Sequence, residues 1–101
     1  MILQAQIILD KDEMDQRGRP LYITILQWLV EHDIVDAAVF EGISGIGSNR
    51  RISRPGALFS FDEPPVMILF SDEAGKVKNA LHEIRAFCPT ALMMSYHVEM
   101  H

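Results

Sequence analysis

The stretch PLYITILQWLVEHDIVDAAVFE, residues 20–41, decides the fold because it joins a helix directly to a strand. Pro20 is well suited to the first position of a helix. Apolar residues then recur at helical spacing and predict one buried stripe, made of Leu21, Ile25, Trp28 and Leu29 and widened by Leu26 and Val30. The polar residues Thr24, Gln27 and Glu31 predict a solvated face. Residues 35–41 (VDAAVFE) predict the strand that follows the helix.

The flanking segments extend this helix and strand to six elements. Residues 2–9 (ILQAQIIL) are apolar and predict the first strand, which a charged loop at 10–19 connects to the helix. Pro64 and Pro65 lie between two further apolar runs and predict a bulge or a bend there. The remaining predicted elements are one strand interrupted by this break, with its two parts at 57–61 and 66–71, a helix over 73–87 with Asp72 as its N-cap, and a last strand at 91–99.

The order β-α-β-β-α-β is the ferredoxin-like order, in which a hairpin joins two βαβ units. It predicts an α+β fold with an antiparallel sheet and both helices on one face of that sheet. Residues 66–70 (VMILF) are apolar at every position, so this strand has no polar face to turn towards water. We therefore expect a homo-oligomer that buries the second face of the sheet.

Composition limits the classes of protein to consider. The 101 residues suit one domain over 1–101, and the net charge of −5 excludes generic nucleic-acid binding. No apolar run is long enough to span a membrane, and the opening residues lack the features of a signal peptide. Cys88 is the single cysteine, which rules out a disulfide framework and favours the cytoplasm. Cys88 also continues the apolar stripe of the second helix, so we interpret it as a core thiol.

The arginines are concentrated in two short stretches. Five of the six lie at positions 17, 19, 50, 51 and 54. The expected strand directions bring the loop 10–19, the loop 42–56 and the end of the second helix to the same end of the sheet. An acidic chain with such a local cluster indicates one defined anionic ligand rather than a polyanion.

Residues 42–51, GISGIGSNRR, combine three glycines with two of these arginines. Glycine amides can form a nest for phosphate, and arginines can bind it through two parallel hydrogen bonds. The candidate ligand-binding residues are Gly42, Gly45, Gly47, Arg50 and Arg51. In the alternative interpretation the glycines only allow tight turns with positive φ, and the arginines are solvated.

Arg17 and Arg19 could complete an anion site beside the start of the first helix, and Arg19 is therefore a further candidate. The alternative is that both arginines form ion pairs with the neighbouring acidic residues.

A second cluster of candidate residues lies at the C-terminus. His97, Glu99 and His101 alternate, so a strand would place all three on one face, where they could bind a divalent metal. This metal site would be separate from the arginines, at the opposite end of the sheet. The alternative is a solvated terminus.

The stretch GRPLYITILQWLVEHDIVDAAVFEGISGIGSNRRI, residues 18–52, resembles the PII-like family of small signalling proteins, which are related to nitrogen regulatory PII. The later segment LFSFDEPPVMILFSD also fits the family pattern. The resemblance implies a ferredoxin-like homotrimer that binds adenine nucleotides in clefts between subunits. It also implies that a T-loop, here residues 43–55, contacts a target protein such as a transporter or an enzyme.

One departure from the PII proteins concerns phosphate binding. PII proteins carry a loop rich in glycine and lysine between the second helix and the last strand, where this chain has only residues 87–90, FCPT. A different nucleotide or another small anion therefore stays open as the ligand. No catalytic arrangement is evident, since no histidine is placed near the serines of 42–53, so we do not expect an enzyme.

The sequence thus predicts a PII-like regulatory protein that binds a small anionic ligand, with an adenine nucleotide as the expected one. A divalent-metal-binding trimer that uses the C-terminal histidines is the alternative, and a structural partner subunit without a ligand is a third.

Overall fold

A computed structural model describes residues 1–43, 45–46, 52–53 and 64–101, with only the backbone described at 45–46 and 52–53. The two helices and the four longer strands occur in the predicted order, and two short strands lie between the second and third of those strands. The elements are β1 (Ile2–Asp10), α1 (Leu21–Glu31), β2 (Ala37–Glu41), β3 (Gly45–Ile46), β4 (Ile52–Ser53), β5 (Pro65–Glu73), α2 (Ala74–Phe87) and β6 (Leu92–Val98).

The four longer strands form one sheet in the order β2-β5-β1-β6, and all neighbouring strands are antiparallel. Burial alternates strictly along β1, and the buried residues are Leu3, Ala5, Ile7 and Leu9. The inward residues of both helices belong to the same hydrophobic cluster as these four, so the helices cover one face of the sheet. The predicted ferredoxin-like fold is therefore confirmed.

Helix α1 buries a narrower stripe than its sequence predicts. Leu21, Ile25 and Leu29, spaced four residues apart, are almost completely buried, and Trp28 is half-buried. Val30 is 74% exposed, so its assignment to the buried stripe was wrong. An α-helix has about 3.6 residues per turn, so Val30 lies about 100° around the helix axis from Leu29. This rotation takes Val30 out of the stripe that contains Ile25 and Leu29.

Helix α2 begins later than predicted, at Ala74, and Glu73 precedes it without a side-chain cap. Asp72 is not the N-cap, because β5 continues as far as Glu73, which pairs with Ile2. The Asp72 carboxylate instead accepts a hydrogen bond from the backbone of Glu73 and forms an ion pair with Lys76. Sheet pairing with β1 thus overrides the local capping preference.

Only the C-terminal side of the proline break lies within the described residues. Pro65 is the first residue of β5, a position where a missing N–H does not interrupt the ladder. The predicted strand at 57–61 lies outside the described residues. A small antiparallel ladder, Gly45 with Ser53 and Ile46 with Ile52, was not predicted and lies within the segment 42–56.

The second face of the sheet is not covered by any described element. The register places four apolar side chains of this face in one row across the sheet: Phe40 (β2), Met67 (β5), Ile8 (β1) and Leu92 (β6). Phe40 and Leu92 are more than half exposed. We call this row the open-face row. The expectation that β5 is apolar on both faces is therefore confirmed.

Candidate functional site

The loop between β1 and α1 meets the ends of β2 and α2 at one rim of the molecule. The Lys11 ammonium lies 2.7 Å from a carboxylate oxygen of Glu41, the last residue of β2. Glu13 accepts hydrogen bonds from the Thr90 hydroxyl, just beyond α2, at 2.8 and 2.9 Å. The predicted convergence is therefore found for the loop 10–19, the end of α2 and the point where the segment 42–55 begins.

Asp15 organises this loop by accepting four hydrogen bonds. The donors are the Arg17 and Arg19 backbone amides, the Arg19 side chain and the Thr24 hydroxyl, at 2.6 to 3.2 Å. Gly18 lies between the two arginines with φ of 79°, a conformation that glycine adopts without strain. The bonds from Thr24 and from the Arg19 amide hold the pKa of the Asp15 carboxyl well below its ordinary value of 3.8.

We expect Asp15→Asn to lower the melting temperature and to change its dependence on pH. Because the pKa of Asp15 is lowered in the folded state, its contribution is complete above 3.8 and is lost progressively as the pH falls below that value. The stability gap between wild type and Asp15→Asn should therefore narrow in acid. Thermal unfolding of both proteins from about pH 7 down to about pH 3 measures this gap.

Asp12→Asn is the matched control, because Asp12 lies in the same loop but is exposed. A gap between wild type and Asp15→Asn that stays constant, or that widens in acid, would show that the carboxylate of Asp15 does not hold the loop.

Arg19 is already engaged within the chain. Its Nε lies 3.2 Å from Asp15 Oδ2, and its Nη1 donates to Gln27 Oε1 at 3.0 Å. Arg19 therefore forms an ion pair with Asp15 of its own loop, so the alternative interpretation holds for Arg19 but not for Arg17 among the described residues. The Arg17 side chain is exposed, and no residue in the described part of the chain pairs with it. Of the two arginines, Arg17 is the one that is available to a ligand.

Gly42, directly after β2, is required by close packing rather than by a turn. A Cβ at this position would lie 2.8 Å from Pro65 Cγ, and the Gly42 amide donates to the Pro65 carbonyl at 2.6 Å. Its φ is outside the left-handed region, so the turn interpretation is wrong for this glycine. Gly42 holds the start of the segment 42–55 against β5.

The other candidates in this segment can be placed only in part. The backbone of Gly45 lies in β3, paired with Ser53. Gly47, Arg50 and Arg51 lie outside the described residues, so their roles stay predictions.

A groove of about 650 Å³ lies beside this rim, between the loop 15–19, helix α1 and the end of α2. Sequence reasoning missed it, since the polar face of α1 was expected to be solvated. Thr24, Gln27 and Glu31 line this groove, and Gln27 and Glu31 are exposed as expected. A signal was present in Trp28, which lies next to this polar face in the sequence and is half-buried in the structure.

The remaining candidates are Cys88 and the three C-terminal residues. Cys88 is fully buried, and burial together with the neighbouring Glu13 carboxylate raises the pKa of its thiol to about 11. His97 lies in β6 with Glu99 and His101 beyond it, and these last two approach only to 4.0 Å. The described residues contain no group of three His, Cys, Asp or Glu that could hold a metal ion. The C-terminal metal site stays a prediction that the geometry of this chain does not support.

Neither helix among the described residues is long and apolar enough to cross a lipid bilayer.

Comparison by sequence identifies a family. Residues 3–100 match the family model DUF190, described as uncharacterized ACR, COG1993. A curated relative, the UPF0166 protein of Aquifex aeolicus (strain VF5), is 30% identical over 80 residues, which cover 79% of this chain and 75% of the relative.

Comparison by structure shows the fold. CPII from Thiomonas intermedia K12, a nitrogen regulatory PII-like protein bound to ADP, AMP and bicarbonate, superposes with a TM-score of 0.70 and 14% identity over 99% of this chain and 94% of that chain. The divalent ion tolerance protein CutA1 from Ehrlichia chaffeensis has a TM-score of 0.67 at 14% identity, over 99% of this chain and 83% of that one. At such identities the likeness concerns the fold alone.

The family match and the structural match agree with the observed element order and sheet topology. The family match covers both helices and all four strands of the main sheet. The chain belongs to the DUF190 family and has the PII-like, ferredoxin-like fold.

Proposed function

We propose that this protein is a PII-like regulatory protein that binds a small anionic ligand, an adenine nucleotide, at the rim where the segment 42–55 begins. One observation carries the proposal: Lys11 contacts Glu41, so two segments far apart in sequence meet at this rim. One of these segments carries Arg17 and Arg19. The other continues into Gly45, Gly47, Arg50 and Arg51.

The chemistry of these residues favours phosphate. Backbone amides of glycine-rich segments bind anions, and guanidinium groups match the oxygens of a phosphate in pairs. The proposed phosphate-binding residues are Gly45, Gly47, Arg50 and Arg51. Gly42, also a candidate from the sequence, is not among them, because its amide already donates to the Pro65 carbonyl. Arg19 has a smaller part, because Asp15 and Gln27 already occupy its donors. The fold shared with CPII, whose structure is bound to ADP, AMP and bicarbonate, supports the choice of an adenine nucleotide.

Association of subunits would create the cleft for this ligand. The open-face row leaves apolar side chains on a sheet face that no described element covers. Burial of this face between copies of the chain would gain roughly 25 cal/mol per Å2 of apolar surface. We propose a homotrimer with its ligand sites between subunits.

The regulatory output would come from the segment 43–55. Gly42 and Pro65 anchor its start against the sheet, so a ligand bound there could change the arrangement of the segment without disturbing the core. The segment would then bind or release a target protein, a transporter or an enzyme.

A regulatory role without catalysis agrees with the state of the only thiol. Cys88 is buried and has a pKa of about 11, so it is protonated at neutral pH and is a poor nucleophile.

Titration calorimetry with AMP, ADP and ATP, each with and without bicarbonate, tests the proposed nucleotide site. We expect at least one nucleotide to bind the wild type, and Arg50→Ala/Arg51→Ala to raise its Kd by about tenfold or more. The reason is that a hydrogen bond to a charged group contributes about 1.5–3 kcal/mol.

Arg50→Lys/Arg51→Lys is the control for net charge, since it retains both positive charges but cannot form paired hydrogen bonds. Its Kd should lie between those of the wild type and the alanine variant. If no nucleotide binds, or if the alanine variant binds as tightly as the wild type, the proposed site is wrong.

A further inference from the structure

The groove between α1, the loop 15–19 and the end of α2 has the size of a small-molecule site. Its volume is about 650 Å³, and drug-sized ligands occupy clefts of about 300–1,000 Å³. It is lined by helix residues and by a loop that Asp15 organises through four hydrogen bonds. Every described residue of its lining lies outside the segment 43–55.

One wall of the groove is aromatic and is held in place before any ligand arrives. The Trp28 ring stacks on the His32 ring, with centroids 3.7 Å apart and an angle of 11° between the planes. The His32 ring nitrogen Nδ1 lies 2.8 Å from the Trp28 carbonyl oxygen, which fixes the imidazole in turn. Phe87 adds a second aromatic side chain at the end of α2. A planar ring would find a rigid apolar surface here.

Two charged groups that line the groove, the Arg17 guanidinium and the Glu31 carboxylate, have no partner among the residues described. Asp15 and Arg19 neutralise each other, and Arg19 also donates to Gln27. Arg17 lines the groove, and no partner for its guanidinium occurs among the residues described. The hydrogen bond from the Arg17 backbone amide to Asp15 holds the backbone in place. It does not involve the guanidinium group, which therefore stays available to a ligand.

Glu31 is the second unpaired charged residue of the lining. Thr24, which contacts Asp15, marks the end of the groove at the loop, and Glu31 lies seven residues further along α1. The helical rise over these seven residues is about 10 Å, which separates Glu31 from the loop end of the groove.

We propose that this groove is a second ligand site, which binds a small planar anion. An aromatic or heteroaromatic ring would lie against Trp28 and Phe87, and its carboxylate or phosphate group would contact Arg17. The groove shares the loop 15–19 with the proposed nucleotide site, but its argument uses no residue of the segment 42–56, so variants of Arg50 and Arg51 distinguish the two sites.

The fluorescence of Trp28 reports on this site directly, since it is the only tryptophan of the chain. Benzoate and phenyl phosphate serve as probes, and benzamide is the neutral control of the same shape. We expect both anions to change the emission of Trp28 saturably and benzamide to bind at least about tenfold more weakly. Separate titrations with the two anions show whether a carboxylate or a phosphate is preferred.

Arg17→Gln should raise the Kd for the preferred anion by about tenfold, whereas Lys78→Gln, which removes an exposed positive charge from α2, should leave it unchanged. Circular dichroism confirms that each variant is folded. The proposal is overturned if neither anion gives saturable binding, or if Arg17→Gln has no effect. It is also overturned if benzamide binds as tightly as the anions, or if Arg50→Ala/Arg51→Ala abolishes the signal. A failure of nucleotide binding would leave this test unaffected.

Discussion

Replacing Phe70 with alanine is expected to lower the free energy of unfolding by about 3–5 kcal/mol. This loss is a large part of the total free energy of unfolding of a chain of this size. Phe70 lies in β5 and is 2% exposed. Its partners in the neighbouring strands are Ala5 and Ala37, both small. The ring fills space that these alanines cannot, so its removal leaves a cavity that the surrounding side chains cannot close.

Urea denaturation at a fixed protein concentration measures this loss, and the fixed concentration matters because association also contributes to stability. Val30→Ala is the control, since Val30 is 74% exposed on α1 and its truncation should change stability by less than about 0.5 kcal/mol. If the two variants lose the same amount, Phe70 does not fill the core as described.

Replacing Met67 with glutamate is expected to dissociate the proposed homotrimer into folded monomers. Met67 lies in the open-face row, between Phe40 and Ile8 in the neighbouring strands. Adjacent strands are about 4.8 Å apart, so the row of four side chains forms an apolar band about 14 Å wide. A carboxylate buried in such a band without a partner costs several kcal/mol, comparable with the free energy of a moderate interface.

Sedimentation velocity of both proteins at equal concentration tests this prediction. Val30→Glu is the matched control, because it adds the same charge on an exposed site of α1, on the other side of the sheet. We expect the wild type and Val30→Glu to sediment as trimers and Met67→Glu as a monomer. A monomeric wild type, or a Met67→Glu variant that still associates, would show that this face is not the interface.

The fold could be predicted because its determinants are local and repetitive. The alternation of buried residues in β1 and the spacing of Leu21, Ile25 and Leu29 in α1 follow from the geometry of a strand and a helix. Chain direction then brought the loop 10–19 to the end of β2, as the contact between Lys11 and Glu41 confirms. The predicted start of α2 was wrong because β5 continues to Glu73, which pairs with Ile2 in β1. Ile2 is remote in sequence, so the local pattern did not reveal this pairing.

The candidate site could be predicted only as a location. The sequence indicated which loops meet, but the division of labour between Arg17 and Arg19 depends on the position of Asp15. Asp15 forms an ion pair with Arg19, whereas the guanidinium of Arg17 has no partner in the described part of the chain. The role of Gly42 was mistaken for the same reason, since Pro65 approaches it from a strand more than twenty positions away.

The amino-acid pattern alone thus determined the element order, the layered α+β fold and the identity of the core, because periodic burial needs only neighbours in sequence. The tertiary structure decided which charges are paired, why residue 42 is glycine and that a groove opens beside Trp28. These features depend on distances of a few ångströms between remote residues. The spacing of residues along the chain does not predict such distances, because they are set only when the helices pack onto the sheet.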